Sequence, residues 1–219
     1  MEASKSNIIY KDNFIEKTIN KEILEYLKFE MDWSSNYFEE GTWGSKSGFT
    51  WVNTPFNVPI YERLNQISIE LLNLAMFKYG RHLRSIHNII CRKWEIGESQ
   101  AAHSDTESVD ENGMLEPFPE NVSSGSRPLY LADYSCYVYL NDDYEGGEIF
   151  FPEHGIEIKP TAGSALIFPS GNHYVHGVKR VEGTNRYTLG MYFTSPKVMG
   201  LFSKELLREH SMYIGGENA

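Results

Sequence analysis

Apolar residues recur at helical spacing in the first third of the chain. Ile23, Leu27 and Met31 follow one another every four residues, and Asn20 stands in front of them. Because apolar side chains spaced by four lie on one face of an α-helix, the pattern predicts a short amphipathic helix with Asn20 as its N-cap.

A longer stripe predicts a second helix. Its apolar positions step by four and three residues: Ile60, Leu64, Ile67, Leu71 and Leu74. Pro59 suits the first helical position, and Gly80 suits the left-handed residue that ends a helix. We expect both helices to pack against a sheet, and we assign their apolar faces no other role.

The apolar period shortens to two from Ile86 onward, and turn residues arrive roughly every eight to twelve positions, as in β-sandwiches and barrels. The fold class is therefore predicted as mainly β with supporting helices. The predicted strands are Ile86–Ile96, Tyr134–Leu140, Glu148–Phe151, Ile156–Lys159, Ser164–Phe168, His173–Arg180 and Arg186–Phe193.

A length of 219 residues favours one domain, since domains average roughly 150 residues. We expect helical support over about 14–80, the sheet core over about 86–194, and a tail over 195–219 that contains a last helix, Ser203–Glu209. The segment Thr106–Pro128 is acidic and rich in proline and has no periodicity, which predicts a long loop. Such a loop either covers a binding site or is an insertion without function.

Composition narrows the classes of partner. The 20 basic and 30 acidic residues give a formal charge of −10, so the chain lacks the basic field that nucleic acids require. The two cysteines are predicted to be buried free thiols. An amino terminus without an apolar core, and the absence of any apolar run of roughly 20 residues, predict a cytoplasmic protein without a membrane segment.

Among the seven histidines, two are placed to meet a carboxylate. His103 and Asp105 are two positions apart, so in a strand they face the same side. His176 precedes Arg186 by ten residues. If their two strands form a hairpin with Arg180 opposite Arg186, His176 and Arg186 share one face and lie roughly 13 Å apart along it. That gap, less the reach of both side chains, fits a short dicarboxylate.

Two histidines and one carboxylate form the facial set that binds Fe(II) in non-haem oxygenases and leaves positions open for other ligands. Zinc prefers a closed site of four ligands, or a catalytic set with a bound water. A buried arginine requires an anion, and its planar fork suits a carboxylate. The joint spacing favours such a site over an exposed strand arginine and a surface histidine–aspartate pair.

The order His103-Ser-Asp105, His176 and Arg186 resembles the 2-oxoglutarate and Fe(II)-dependent dioxygenases of the prolyl 4-hydroxylase type. Three longer stretches are also similar to that family: RKWEIGESQAAHSD, YVYLNDDYEGGEIFFP and GSALIFPSGNHYVHGVKRV. The resemblance covers about Ile86–Phe193. It implies a double-stranded β-helix of the jelly-roll kind, backed by the N-terminal helices.

The resemblance implies roles for individual residues. His103, Asp105 and His176 are implied as the catalytic iron ligands. Arg186 is implied as the partner of the distal carboxylate of 2-oxoglutarate, and Tyr139 as a second hydrogen-bond donor to it. The strand around Tyr139 alternates, which makes an inward phenol physically reasonable, although a purely structural role stays open.

Two further aromatic residues are candidates for cofactor binding. Trp94 stands where members of the family often have tyrosine, and an indole has an N–H donor but no hydroxyl. Tyr192 is the other candidate; it is also a candidate, with Trp43 and Trp51, for lining a groove that binds proline-rich peptides. The pair Gly146–Gly147 is expected to form a turn or bulge beside the site.

The activity implied by the resemblance is hydroxylation of a prolyl residue in a peptide or protein. O2 and 2-oxoglutarate are the co-substrates, succinate and CO2 are the products, and ascorbate is the implied reductant. The carboxylate of Asp105, which related halogenases lack, favours hydroxylation. Two alternatives stay open: a hydroxylase of a free amino acid or small molecule, and a non-catalytic jelly-roll module for binding or assembly.

Overall fold

The computed structural model describes residues 7–33, 50–53, 58–85, 89–106 and 132–195. The described helices are α1, Lys17–Phe29, and α2, Tyr61–Tyr79. The described strands are β1 Ile9–Lys11, β2 Thr50–Asn53, β3 Arg84–Ser85, β4 Ile90–Trp94, β5 Gln100–His103, β6 Tyr134–Tyr139, β7 Glu145–Gly146, β8 Ile149–Phe151, β9 Ile156–Ile158, β10 Ala165–Pro169, β11 His176–Val178, β12 Val181–Glu182 and β13 Arg186–Thr194. Short 3-10 helices occupy Pro152–His154 and Asn172–Tyr174.

Helix α1 exists as predicted, but its start differs from the prediction. It begins at Lys17, so the interpretation of Asn20 as an N-cap is wrong. Asn20 is instead buried inside the helix, where its amide donates to the carbonyl of Leu140 at 2.8 Å. Asparagine is typical of helix caps because its side chain can hydrogen-bond nearby backbone groups. In α1 the Asn20 side chain instead bonds a backbone carbonyl that is distant in sequence.

Helix α2 also exists as predicted. It begins at Tyr61, two residues after Pro59, which lies in the preceding turn. Gly80 ends the helix in the left-handed conformation, with φ 61° and ψ 33°, as predicted.

The strands form two main antiparallel sheets. The larger has the order β1-β10-β6-β13-β4-β2, with β3 also paired to β13, and the smaller has the order β5-β11-β8-β9. Strands β7 and β12 form a separate pair.

The larger sheet has a helical layer on one face and the smaller sheet on the other. Its outer side chains share a cluster with the apolar faces of both helices: Ile23, Leu27, Leu64, Ile67, Leu71, Cys91, Cys136, Val138, Leu189 and Met191. Its inner side chains share a second cluster with the smaller sheet: Tyr137, Tyr139, Leu166 and Phe168 with Ile149 and Phe151. The predicted fold class, a jelly roll backed by helices, is confirmed.

The sequence pattern locates the longer strands better than the short ones. It does not predict β1, β2, β3, β5, β7 or β12, which have two to four residues each and are too short for a period of two to be visible. Of the predicted strand His173–Arg180, only His176–Val178 pairs as a strand, and its first two residues belong to the 3-10 turn Asn172–Tyr174.

The predicted hairpin between the strands of His176 and Arg186 is wrong. Strand β11 pairs with β5 and β8 in the smaller sheet, whereas β13 pairs with β4 and β6 in the larger. Between them the chain pairs at Val181–Glu182 with β7. The chain therefore crosses from one sheet to the other, so His176 and Arg186 approach each other across the interior.

Other sequence predictions have mixed outcomes. Both cysteines are buried free thiols, as predicted. Neither α1 nor α2 has the length and apolarity needed to cross a membrane. The segment after Thr106 up to Pro128, the helix Ser203–Glu209 and Trp43 lie outside the described residues, as does the side chain of Trp51.

Candidate metal and co-substrate site

Three predicted ligand groups meet in the interior. His103 ends β5, Asp105 follows it closely, and His176 begins β11, directly opposite His103 in the register of the two strands. One ligand atom from each residue can be chosen so that all lie within 4.8 Å of one another. Each residue is at most 5% exposed. The sequence prediction that these three groups converge is confirmed.

Backbone carbonyls orient both imidazoles. Nδ1 of His103 lies 2.9 Å from the carbonyl oxygen of Ala101, and Nδ1 of His176 lies 3.0 Å from that of Tyr174. Since a carbonyl only accepts, Nδ1 is the protonated nitrogen on each ring. The Nε2 atoms then face Asp105, at 3.4 Å from Oδ1 for His103 and 3.5 Å from Oδ2 for His176. Two nitrogen lone pairs and a carboxylate directed at one point fit a cation.

The ionisation states agree with this donor set. Burial lowers the pKa of His176 to about 4, so its imidazole is neutral at pH 7. Burial alone raises the pKa of Asp105, but the two neighbouring imidazoles and a hydrogen bond from Ser135 bring it below its ordinary value. Neutral imidazoles and an ionised carboxylate are the forms that bind a divalent metal.

Side chains of β6 hold the carboxylate of Asp105. The Ser135 hydroxyl donates to Oδ2 at 2.6 Å, and the Tyr137 hydroxyl donates to the same atom at 3.1 Å. Ser135 also shares a 2.7 Å hydrogen bond with the buried Ser170. Such outer partners fix the direction in which a metal-binding carboxylate presents its oxygens.

A buried arginine extends this network. Arg92 donates through Nη2 to the Tyr192 hydroxyl at 2.6 Å, and the hydroxyls of Tyr192 and Tyr137 are 3.0 Å apart. The guanidinium lies over Gly190, where a Cβ atom would approach its Cζ to 2.8 Å. Sequence reasoning missed Arg92, although its position two residues before Trp94 places both on one face of β4.

One cavity is lined both by His176 of the three-ligand cluster and by Arg186. Its lining residues come from six strands of the two main sheets. They are Arg92, Trp94, Gln100, Tyr137, Tyr139, Ile149, His176, Val178, Arg186 and Thr188. Of the four residues predicted to bind cofactor, Arg186, Tyr139 and Trp94 lie in this lining. Tyr192 lies outside the lining, in the network of Arg92 and Tyr137.

Arg186 is a buried cation surrounded by aromatic rings. It is 3% exposed, and its Cζ lies 5.0 Å from the ring centroid of Trp94, 5.2 Å from that of Tyr139 and 5.9 Å from that of Tyr144. Among the described residues, neither its Nε nor the Tyr139 hydroxyl has a hydrogen-bond partner. Because an unpaired buried charge is costly, this end of the cavity fits an anion.

Sequence comparisons find related oxygenases. The model of the family described as 2OG-Fe(II) oxygenase superfamily matches residues 92–194. Prolyl 3-hydroxylase 2 of Homo sapiens is 32% identical over 117 residues, which are 50% of this chain and 16% of that protein. Prolyl 3-hydroxylase 1 of Gallus gallus is 33% identical over 117 residues, with the same coverage. The chain thus spans less than a fifth of the length of these curated relatives.

Solved structures share the fold. A prolyl hydroxylase from Trichoplax adhaerens, in complex with a hypoxia inducible factor oxygen degradation domain peptide fragment, has a TM-score of 0.64 at 15% identity and covers 91% of this chain and 89% of its own. A viral collagen prolyl hydroxylase from Paramecium Bursaria Chlorella virus-1, in a 2OG complex, has a TM-score of 0.58 at 16% identity and covers 86% and 96%. Residues 92–194 of this chain thus match the model of the 2OG-Fe(II) oxygenase superfamily, and the chain is similar in sequence and in fold to proteins named prolyl hydroxylases.

Proposed function

We propose that the chain is an Fe(II)- and 2-oxoglutarate-dependent dioxygenase that hydroxylates a prolyl residue in a peptide or protein. The observation that carries the proposal is one cavity lined both by His176, from the buried His103–Asp105–His176 cluster, and by Arg186, a buried cation whose Nε has no hydrogen-bond partner among the described residues. The prolyl class of substrate is supported by the relatives, which are named prolyl 3-hydroxylases.

In this proposal one set of residues binds the metal and another set binds the co-substrate. His103 and His176 bind Fe(II) through Nε2, and Asp105 binds it through its carboxylate. Arg186 and Tyr139 bind the distal carboxylate of 2-oxoglutarate, the guanidinium by charge and the phenol by a hydrogen bond. Trp94 packs against the guanidinium and limits its rotation.

The bound Fe(II) and 2-oxoglutarate supply O2 activation, which couples oxidative decarboxylation of the keto acid to succinate and CO2 with insertion of one oxygen atom into a substrate C–H bond. The protein supplies position and exclusion of water. Ser135 and Tyr137 hold Asp105, and the backbone carbonyls hold both imidazoles. Phe168, with its ring centroid 4.6 Å from that of His176, closes the apolar side of the cluster.

Several sequence predictions stay predictions. They include the cofactor contact of Tyr192, the use of ascorbate as reductant, the cytoplasmic location and the division of the chain into helical support, sheet core and tail. The network that joins Tyr192 to Asp105 supports an indirect effect of Tyr192 on the metal, through Tyr137.

The test is an assay with Fe(II), 2-oxoglutarate and O2 that measures succinate and the mass of the substrate. With a proline-rich peptide, we expect a gain of one oxygen atom on proline and an equivalent amount of succinate. The same peptide with alanine in place of proline should give neither. Product formation from free proline alone would assign the enzyme to free amino acids, and a metal-loaded protein without succinate under any condition would favour the binding module.

Matched variants separate the site from the fold. His176→Ala is expected to abolish metal retention and turnover, whereas His173→Ala, at an exposed histidine of the neighbouring turn, should leave both unchanged. Arg186→Ala is expected to raise the 2-oxoglutarate concentration needed for half-maximal rate, whereas Arg180→Ala, at an exposed arginine, should not. Full activity of His176→Ala or Arg186→Ala would refute the assignment.

A further inference from the structure

Tyr144 is a buried tyrosine in the turn that follows β6. It is 3% exposed and belongs to a small cluster with Trp94, Val178 and Val181. Sequence reasoning gave it no role, because it lies five residues beyond Tyr139 in an irregular segment where no period indicates which way a side chain points.

The hydroxyl of Tyr144 is buried close to Arg186. Burial raises the pKa of Tyr144, and the charge of Arg186 and a hydrogen bond between the two side chains oppose that rise. The described part of the chain offers the proton of this hydroxyl no acceptor, and the same is true of the Tyr139 hydroxyl proton and of the Nε–H of Arg186. Two phenols beside the guanidinium and its own Nε–H thus lack an acceptor. Because a buried donor without an acceptor is costly, a ligand that supplies acceptor oxygens fits this place.

The turn is built to keep Tyr144 against Arg186. Gly147 has φ +64°, and a Cβ atom there would lie 2.8 Å from Cε2 of Tyr144 and 3.1 Å from Cδ of Arg186. Lys159 lies 3.9 Å from the Tyr144 ring centroid, and its ammonium donates to the carbonyl oxygens of Tyr144 at 2.9 Å and of Gly146 at 2.5 Å. Gly147 thus allows the close approach of Tyr144 to Arg186, and the hydrogen bonds from Lys159 stabilise the turn.

We propose that Tyr144 is a further co-substrate-binding residue, whose hydroxyl donates a hydrogen bond to the distal carboxylate of 2-oxoglutarate beside Arg186 and Tyr139. The inference rests on the proposed function. A carboxylate offers about four acceptor sites, so it can take the guanidinium and both phenols together. Trp94 has no hydroxyl to offer. Tyr144 lies outside the cavity lining, on the guanidinium that reaches it, and provides a second phenol beside Arg186.

The test compares the affinities of two keto acids for the Zn(II)-loaded protein, which binds keto acids but does not turn them over. Calorimetric titration gives the dissociation constants of 2-oxoglutarate and of 2-oxobutyrate, which lacks the distal carboxylate. Tyr144→Phe removes only the hydroxyl. It is expected to weaken 2-oxoglutarate about tenfold or more, the range for a lost hydrogen bond to a charged group, and to leave 2-oxobutyrate unchanged.

Tyr187→Phe is the matched control, since Tyr187 is a buried tyrosine next to Arg186 on the opposite face of β13. It should leave both affinities unchanged. Unchanged 2-oxoglutarate affinity in Tyr144→Phe would overturn the inference while the proposed function stands, and equal weakening of both keto acids would also overturn it. Failure of the wild-type protein to bind 2-oxoglutarate would instead refute the proposed function.

A measurement on the wild-type protein covers the case in which Tyr144→Phe does not fold. With tyrosine labelled at the ζ-carbon, 2-oxoglutarate should shift two resonances that 2-oxobutyrate does not shift. In Tyr139→Phe the resonance of Tyr139 should be absent, and the shifted resonance of Tyr144 should remain. A single shifted resonance, lost in Tyr139→Phe, would exclude the contact of Tyr144 with the carboxylate.

Discussion

Removal of the Ser135 hydroxyl should weaken metal binding without removing a ligand. In Ser135→Ala, Oδ2 of Asp105 loses its 2.6 Å hydrogen bond, while the longer 3.1 Å bond from Tyr137 remains. Loss of an outer partner of a metal ligand typically costs about 10- to 100-fold in metal affinity. At about 1.4 kcal/mol per tenfold change, we expect a loss of about 1.4–2.8 kcal/mol.

The assay is an anaerobic titration with Co(II), followed by the visible absorption of the bound ion. Ser164→Ala is the matched control, because Ser164 is also fully buried and its hydroxyl donates a 2.6 Å hydrogen bond, but to the carbonyl of Thr161. The control should bind Co(II) like the wild type. Equal Co(II) affinity of Ser135→Ala and Ser164→Ala would refute the role of Ser135.

Three further predictions concern the turn, the helix contact and the pH dependence. Gly147→Ala should raise the Michaelis constant for 2-oxoglutarate and cost about 1–2 kcal/mol of stability, measured by denaturation, because its φ is +64°. Asn20→Ala should lower the free energy of unfolding by about 1–3 kcal/mol, because the carbonyl of Leu140 loses its donor. Burial raises the pKa of Glu98 from 4.5 to about 7. The folded protein therefore holds a proton that the unfolded chain releases, so wild-type stability should fall relative to Glu98→Gln as pH rises from 4.5 to 7, as measured by denaturation at each pH.

The alternation of β13 could be predicted from sequence because it is local. Over nine residues, Tyr187, Leu189 and Met191 face the helices, while Arg186 and Thr188 line the cavity, as the period of two indicates. The partner of a strand is not local information. A turn at 183–185 can close a hairpin or connect two sheets, and no feature of those residues distinguishes the two outcomes.

The same limit explains which site residues were found. His103 and Asp105 are two residues apart and share a face, so their spacing already indicates a ligand pair. The hydrogen bonds from Ser135 to Asp105 and from Arg92 to Tyr192 join residues 30 and 100 positions apart, and they depend on how the strands are arranged in the fold. The position of Tyr144 depends on a glycine turn and on Lys159, which only the folded chain brings together.

The most direct test of the account is whether one ferrous ion and one keto acid bind together in this cavity. Anaerobic addition of Fe(II) and 2-oxoglutarate should give the visible charge-transfer absorption of a keto acid chelated to ferrous iron. We expect this band for the wild type and for His173→Ala, and its loss in folded His176→Ala. A folded wild-type protein without the band, or a His176→Ala protein that keeps it, would contradict the central claim.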